Sequence, residues 1–143
     1  MSMSKKTHVL MPISGTISYS DMVAAMLPLL RFEVAVLTLL HVIETPVATP
    51  LESPMHNEMV NTAIHKLQPL VDWLGDQGYT VDPKAVLARN VADAIIQETQ
   101  NADYAFVFMM KRRKRKGIRG LFSRSVTERV IRYVECPVVT VLV

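Results

Sequence analysis

Residues 33–43, with the sequence EVAVLTLLHVI, form an almost uninterrupted run of β-branched and aliphatic side chains. Such a run is typical of a strand that is covered on both faces, as in a parallel sheet between two layers of helices. Two further runs have the same character, HVLMPI at residues 8–13 and YAFVFM at residues 104–109. The three segments predict buried parallel strands and therefore an α/β protein.

Helical patterns separate these strands. Between residues 57 and 74 the apolar side chains recur at intervals of three and four positions, which is the spacing of one helical face. Asn90 is a suitable N-cap for a helix that begins at residue 91, and Ser125 is a suitable N-cap for a helix over residues 126–134. We therefore expect a helix after each of these caps and one long helix before them.

The remaining segments complete the predicted fold. Pro69 is expected to interrupt the long helix, because proline removes a main-chain donor, and Gly75 and Gly78 are natural stops. A further helix is expected over residues 22–30, and strands over residues 79–88 and 138–143. Strands that alternate with helices at this spacing predict a five-stranded doubly wound parallel sheet with helices on both faces, a Rossmann-like α/β fold.

Length and composition limit the organisation of the chain. A chain of 143 residues can build one hydrophobic core but not two, so we expect a single domain over residues 1–143. Residues 1–6 are polar and lead directly into a predicted strand, without the charged and then apolar pattern of a signal peptide. No apolar stretch is long enough to span a membrane. The sequence therefore predicts a cytoplasmic protein without membrane insertion.

The positive charge is concentrated in one segment. Six consecutive basic residues occupy the positions Lys111, Arg112, Arg113, Lys114, Arg115 and Lys116. The formal net charge of +3 would be −3 without these six side chains, so the rest of the chain is mildly acidic. An anionic partner would therefore have to meet this segment.

Motifs of the common catalytic sites are missing from the sequence. It contains no Gly-Lys-Ser phosphate loop, no Gly-x-Ser-x-Gly elbow and no dinucleotide fingerprint after the first strand. The four histidines lack metal-ligand spacing, and His41 is favoured as a core residue with its own hydrogen-bond partner. Cys136 precedes a proline in an apolar segment and is expected to be buried and inert. We predict neither an enzyme nor a metal site.

Segments that span nearly the whole chain share a pattern with one known family. They are VLMPISGT at residues 9–16, LLHV at 39–42, AD at 102–103, SVTERV at 125–130 and CPVV at 136–139. In this order they resemble the universal stress protein family. The last two are the most specific, because a Ser-Val-Thr-Glu helix start followed by Cys-Pro-Val is hard to obtain by chance.

The resemblance implies a stress-response regulatory module that acts by binding. Members of the family often form homodimers through their final strand, here residues 138–143, and some bind a nucleotide, so that ATP and AMP are candidate ligands and no cofactor is certain. By position, Val42 would meet the base, and Ser125 with Val126 would meet phosphate. The full set of candidate nucleotide-binding residues is Pro12, Ser14, Gly15, Val42, Ser125 and Val126.

The glycine motif of the ATP-binding members is eroded in this chain. In those members an aspartate ends the first strand, and the loop after the fourth strand carries glycines at fixed spacing before a serine or threonine. Here Ser14 takes the place of the aspartate and Arg124 that of the last glycine. Counting back from Arg124 puts Lys111 and Lys114 at the other two glycine positions, whereas counting forward from Asp103 puts Phe108 and Lys111 there. Such glycines let main-chain N–H groups approach phosphate, whereas lysine and arginine bind it through charge-assisted side-chain hydrogen bonds.

The basic segment therefore predicts an anion site made of side chains. Its candidate anion-contacting residues are the six of the run together with Arg119 and Arg124. We expect the site at the carboxyl ends of the strands, between the first and fourth strands, where ligands settle in doubly wound sheets. The same charges also fit a solvated loop without a ligand.

Other functions remain open at this point. A second hypothesis is an interaction protein that docks on an acidic partner, such as a transporter, through the basic segment and the Pro-rich residues 44–54. Nucleic acid is unfavoured, because no aromatic residues interleave with the basic ones. A nucleotide hydrolase would need a divalent ion and a catalytic base that the sequence does not offer.

Overall fold

The computed structural model of the chain describes residues 7–13, 23–24, 29, 33–45, 54–111 and 124–142. The predicted helix over residues 22–30 and the Pro-rich residues 44–54 lie largely outside this part. The strands and helices follow each other in the order β1 (His8–Ile13), β2 (Val36–Glu44), α1 (Pro54–Asp76), β3 (Thr80–Ala88), α2 (Val91–Asn101), β4 (Phe106–Lys111), α3 (Arg124–Tyr133) and β5 (Val138–Leu142).

All five strands belong to one parallel sheet. Their spatial order is β3-β2-β1-β4-β5, so the chain builds one half of the sheet outward from β1 and then returns to build the other half. The predicted five-stranded doubly wound sheet is confirmed. None of the helices in the described part of the chain is long and apolar enough to cross a membrane.

Helices cover both faces of this sheet. On one face, Leu67, Leu70 and Leu74 of α1 pack against alternate side chains of the central strands, among them Phe108. On the other face, α2 and α3 contribute Ile95 and other apolar residues to a second cluster. Successive side chains of each central strand point alternately into the two clusters, and these strands are therefore almost continuously apolar. The second cluster contains Leu10, Leu40, Val42, Ala92, Ala94, Ile95, Tyr104, Val107, Met109 and Val130.

The long helix α1 continues through Pro69, although the sequence predicted an interruption there. A proline inside a helix removes one main-chain hydrogen bond. Leu67 and Leu70 flank it and are both buried in the core, so packing on the sheet compensates for the missing bond. Of the two predicted stops, the one at Gly75 is wrong, because Gly75 lies inside the helix, whereas Gly78 is confirmed: it has a φ of 100°, and Tyr79 N–H donates to the main-chain oxygen of Leu74 at 3.2 Å.

The other two helices begin close to their predicted positions. The Asn90 side chain accepts a hydrogen bond from Asp93 N–H at 3.1 Å, which confirms Asn90 as the N-cap of α2. Helix α3 begins at Arg124, so Ser125 is its second residue and not its N-cap. Strand β4 begins at Phe106 instead of residue 104, and the Tyr104 hydroxyl donates a hydrogen bond to Glu98 of α2.

Candidate functional site

The strand order places a crevice between β1 and β4. Connections leave β1 toward β2 on one side, and the later strands β4 and β5 lie on the other side. In a doubly wound sheet the crossovers diverge at this point, and the carboxyl ends of the two central strands border an open space. The carboxyl ends of β1 and β4 are Ile13 and Lys111.

The pairing of β1 with β4 is much shorter than its pairing with β2. Six residues of β1 pair with β2, from His8 opposite Val36 to Ile13 opposite His41. Only two pair with β4, Val9 opposite Phe106 and Leu10 opposite Val107. The carboxyl half of β1 is therefore held by β2 alone.

A side chain strengthens this attachment at the end of β1. His41 Nδ1 lies 3.4 Å from the main-chain oxygen of Ile13, to which the Nδ1–H tautomer donates. The ring is half-buried, and its partner is a carbonyl, as expected for a core histidine. No three His, Cys, Asp or Glu side chains in the described ranges lie together as metal ligands. His41 thus supports the wall of the crevice on the side away from β4.

Three of the predicted nucleotide-binding residues lie on one face of the sheet. Val42 is buried, and Val126 of α3 packs against the same apolar cluster. Pro12 is also buried, and its position two residues after Leu10 places it on the same face of β1. Ser125 is exposed in the first turn of α3, near the positive end of that helix. The other two predicted residues, Ser14 and Gly15, lie outside the described residues.

The predicted anion-contacting residues follow the carboxyl end of β4. Lys111 is the last residue of β4 and pairs with Leu142 of β5 through the main chain. Arg124 is the first residue of α3, which leads back toward the start of β5. The two predicted anion-contacting residues that the structure describes therefore lie at the carboxyl end of β4 and at the start of the next helix. The residues between them, Arg112, Arg113, Lys114, Arg115, Lys116 and Arg119, lie outside the described residues.

The opposite end of the sheet contains a polar network that sequence reasoning missed. The Tyr104 hydroxyl donates to Glu98 Oε2 at 2.6 Å, and Lys84 Nζ lies 3.0 Å from both oxygens of the same carboxylate. His8 Nε2 lies 2.6 Å from Thr38 Oγ1, and the His8 ring lies 4.4 Å from the Tyr104 ring between centroids. One residue each comes from β1, β2, β3, α2 and the segment before β4.

The carboxylate of this network is withdrawn from water, whereas the ammonium group is not. The Glu98 side chain is 6% exposed, whereas that of its partner Lys84 is 43% exposed. Burial, and then the hydrogen bond to Glu98, raises the pKa of Tyr104 above its ordinary value, so the phenol remains a donor. Glu98 occupies a position on the apolar face of α2, three residues after Ile95. A carboxylate at an apolar-face position is the signal that could have revealed the network.

A cavity of about 430 Å³ also lies at this end, near the last turns of α2 and α3. Burial raises the pKa of the Cys136 thiol there, and the residue is half-buried, less than the sequence predicted. Among the residues that the structure describes, no candidate binding residue lines this cavity. Its lining consists of Thr99, Gln100, Ala102, Asp103, Tyr104, Tyr133, Glu135 and Cys136.

Comparison with solved structures finds the same fold at low sequence identity. The hypothetical protein MJ0577 is 22% identical, with a TM-score of 0.69 and 96% of each chain covered. A universal stress protein family protein from Arabidopsis thaliana, solved with AMP bound, is 20% identical, with a TM-score of 0.62 and coverage of 95% of this chain and 91% of that one.

A third structure is the universal stress protein from Archaeoglobus fulgidus in complex with dAMP. It is 14% identical, with a TM-score of 0.60 and coverage of 94% of this chain and 96% of that one. Comparison with curated protein sequences finds no match. The model of the universal stress protein family matches residues 7–141, which is nearly the whole chain. The chain therefore belongs to the universal stress protein family.

Proposed function

We propose that this protein is a cytoplasmic stress-response module that binds a nucleotide or another phosphorylated anion and acts by binding instead of catalysis. Arg124, the last of the candidate anion-contacting residues, is the first residue of α3. The observation that carries the proposal is that β4 ends at Lys111, the first residue of the basic run, at the carboxyl edge of the sheet. This is the edge at which doubly wound sheets bind their ligands.

The relatives support a nucleotide as the ligand. Two structures with this fold contain AMP and dAMP, respectively. In this chain Val42 and Val126 pack in one apolar cluster, on the face of the sheet that would receive a base. Ser125, in the first turn of α3, is exposed to solvent. AMP and ATP are therefore the first ligands to test, with Pro12 of β1 and the following residues Ser14 and Gly15 as further candidate contacts.

The manner of phosphate binding would differ from that of glycine-rich loops. Lysine and arginine stand where the ATP-binding members of the family have glycine, so main-chain N–H groups cannot approach phosphate in the same way. Arginine forms paired hydrogen bonds with phosphate oxygens, and lysine supplies a compact charge. We infer an anion site that depends on side chains and is therefore sensitive to salt.

Calorimetric titration with AMP, ATP and inorganic phosphate tests this function. A variant with Arg112, Arg113 and Lys114 changed to serine should lose saturable binding. A matched variant with the exposed residues Lys66, Arg89 and Arg132 changed to serine removes the same charge elsewhere and should retain it. No heat from any ligand with the unmodified protein would contradict the proposal.

We further propose a homodimer that forms through β5. The two edge strands of the sheet differ. In β3, Ala88 C=O accepts from Thr45 N–H at 2.9 Å and therefore faces the β2 side. Because successive strand residues face opposite sides, the main chain of Pro83 faces the open edge of the sheet, where proline offers no N–H donor. In β5, Pro137 C=O accepts from Val107 N–H, so the main chain of Thr140 faces outward with its donor intact. Strand β5 is the edge that can accept another strand.

A proline exchange tests this dimer. Thr140→Pro would remove an outward donor without touching the ladder to β4, and should weaken the dimer about tenfold or more. Thr140→Val keeps the donor and serves as the control, and Pro83→Thr should change nothing. Sedimentation equilibrium measures the association constant. An unchanged association constant in Thr140→Pro would contradict a β5 interface.

The charge distribution also favours a second candidate, docking on an acidic protein partner. Six cations lie in one segment of a chain that is otherwise mildly acidic. Capture of a transporter's acidic cytosolic segment, strongly weakened by salt and unaffected by AMP or ATP, would favour docking over nucleotide binding. Competition between the nucleotide and the partner would instead indicate that both use the same basic segment.

A further inference from the structure

The carboxyl half of β1 faces β4 without pairing with it. The register between the two strands ends at Leu10 opposite Val107. Strand β1 nevertheless continues to Ile13, and β4 continues to Lys111, so both strands are long enough for further pairs. A specific feature of one strand must end the ladder.

Main-chain hydrogen bonds show which way each residue of β1 points. Thr7 C=O accepts from Val36 N–H at 3.2 Å on the β2 side, and His8 C=O accepts from Ala105 N–H at 2.8 Å on the β4 side. The N–H and C=O of one strand residue point to the same neighbour, and successive residues alternate. Two and four residues after His8, Leu10 and Pro12 therefore face β4.

Proline at this position removes the next donor of the ladder. In a parallel pair with Leu10 opposite Val107, the N–H of residue 12 would donate to the main-chain oxygen of Phe108. Pro12 has no N–H, so this bond cannot form. On the other side of β1, Met11 and Ile13 face β2, and their pairing with it continues undisturbed to the end of the strand.

We propose that Pro12 ends the β1–β4 ladder and thereby holds open the crevice at the carboxyl ends of these strands. Pro12 is a positioning residue: it acts through the missing donor and needs no contact with a ligand. The ligand named for the crevice, a phosphorylated nucleotide or anion, rests on the proposed function. The interruption of the ladder rests on the strand pairing alone. His41 complements Pro12, because its contact with Ile13 C=O holds the end of β1 against β2.

The chain contains a matched control in Pro83. It also lies inside a strand, but its main chain faces the open edge of the sheet, where no neighbouring strand offers an acceptor in the described part of the chain. Pro12→Ala and Pro83→Ala therefore make the same chemical change, one toward a neighbouring strand and one toward solvent.

The test combines an NMR readout with a binding readout. In Pro12→Ala, the amide nitrogen of residue 12 should show a coupling through the hydrogen bond to the carbonyl carbon of Phe108, whereas residue 83 of Pro83→Ala should show none. AMP and inorganic phosphate should bind Pro12→Ala about fivefold more weakly than the unmodified protein, the equivalent of one main-chain hydrogen bond. Their affinity for Pro83→Ala should be unchanged.

The outcomes separate this inference from the proposed function. Folded Pro12→Ala and Pro12→Val proteins that both lack the coupling would overturn the inference, and Pro12→Val serves if the alanine variant does not fold. A coupling together with unchanged ligand affinity would overturn the role of Pro12 in the crevice. A coupling in a protein that binds neither AMP nor phosphate would confirm the interrupted ladder and contradict the proposed function.

Discussion

The two ends of the sheet are built in different ways. At the amino end, side chains from five segments meet in the network of His8, Thr38, Lys84, Glu98 and Tyr104, and the hydroxyl, carboxylate and ammonium groups pair with each other. At the carboxyl end, β1 and β4 pair over two residues only, and a basic segment leaves the sheet at Lys111. The amino end is held together by side-chain hydrogen bonds. At the carboxyl end β1 and β4 have no pairs after Leu10 and Val107, and we call this unpaired boundary the open seam.

This difference indicates that the two ends of the sheet have different roles, stability at the amino end and ligand binding at the carboxyl end. A network in which a buried carboxylate and a buried hydroxyl are hydrogen-bonded to each other stabilises the fold. At the point where the winding of the sheet reverses, the carboxyl ends of the strands and the start of the following helix form the place where doubly wound sheets bind ligands. Changes at the amino end should therefore affect stability, and changes at the carboxyl end should affect binding.

The largest effect on stability is expected from Glu98→Ala. The substitution removes the acceptor of the buried Tyr104 hydroxyl and the partner of Lys84, and should lower the free energy of unfolding by about 2 kcal/mol. Urea denaturation measures this change. Affinity for AMP and phosphate should remain within twofold of the unmodified protein.

Asp93→Ala is the matched control on the same helix. Asp93 pairs with Arg129 at 2.8 Å, but both side chains are about half exposed, and solvent screens the pair. Its loss should fall within the scatter of the denaturation measurement. If Asp93→Ala and Glu98→Ala were equally destabilising, burial of the amino-end network would not be the source of its contribution.

Tyr104→Phe should have a smaller effect, about 1 kcal/mol at neutral pH, because only the hydroxyl is removed. It should also change the pH dependence. The raised pKa of Tyr104 means that the folded protein retains this proton while the unfolded chain loses it near pH 10, so stability falls as the pH rises above that value.

Alkaline denaturation of the two proteins measures this contribution. The free energy of unfolding of the unmodified protein should fall more steeply above pH 10 than that of Tyr104→Phe. Equal slopes would show that the Tyr104 phenol has the same pKa in the folded and unfolded states. Tyr79, whose pKa burial also raises, is present in both proteins and cancels in the comparison.

At the carboxyl end, Val42→Ala should separate base binding from phosphate binding. Val42 lies in the cluster that would receive a base, and the loss of its methyl groups should weaken AMP about fivefold. Inorganic phosphate, which has no base, should bind as before. Equal weakening of both ligands, measured by calorimetry, would place Val42 outside the base site.

The smallest effect is expected from His41→Phe. The contact between His41 Nδ1 and Ile13 C=O is long, at 3.4 Å, and the ring is half-buried, so its loss should cost about 0.5 kcal/mol or less. A loss above about 2 kcal/mol in urea denaturation would show that the end of β1 depends on this side chain far more than the geometry indicates.

The fold was predicted well because its buried strands are recognisable in the sequence as continuous apolar segments. The strands predicted at residues 8–13 and 33–43 run over His8–Ile13 and Val36–Glu44, and their central residues are buried on both faces, which is visible in composition alone. Pro69 was harder to interpret, because its cost depends on how firmly Leu67 and Leu70 hold the helix to the sheet. The start of α2 was predicted at the correct residue and that of α3 within two residues, whereas α1 begins three residues before its predicted start.

The sequence could not reveal either end of the sheet in detail. Lys84 and Glu98 lie fourteen positions apart, and His8 and Thr38 thirty, so their contacts appear only when the strands are arranged in space. Pro12 was predicted as a binding residue from the family pattern. The effect of its missing N–H donor on strand pairing can be recognised only from the register between β1 and β4. The assignment of Lys111 through Lys116 to an anion site remains a prediction.

Chemical-shift mapping by NMR, with AMP and inorganic phosphate as ligands, tests the central claim most directly. The account predicts saturable shifts of the amides of Ile13, Lys111, Ser125 and Val126 at the carboxyl end, and none at Glu98 or Tyr104. Shifts centred on Tyr104 and Cys136 at the amino end, or no saturable shifts with either ligand, would contradict the assignment of the binding site to the open seam.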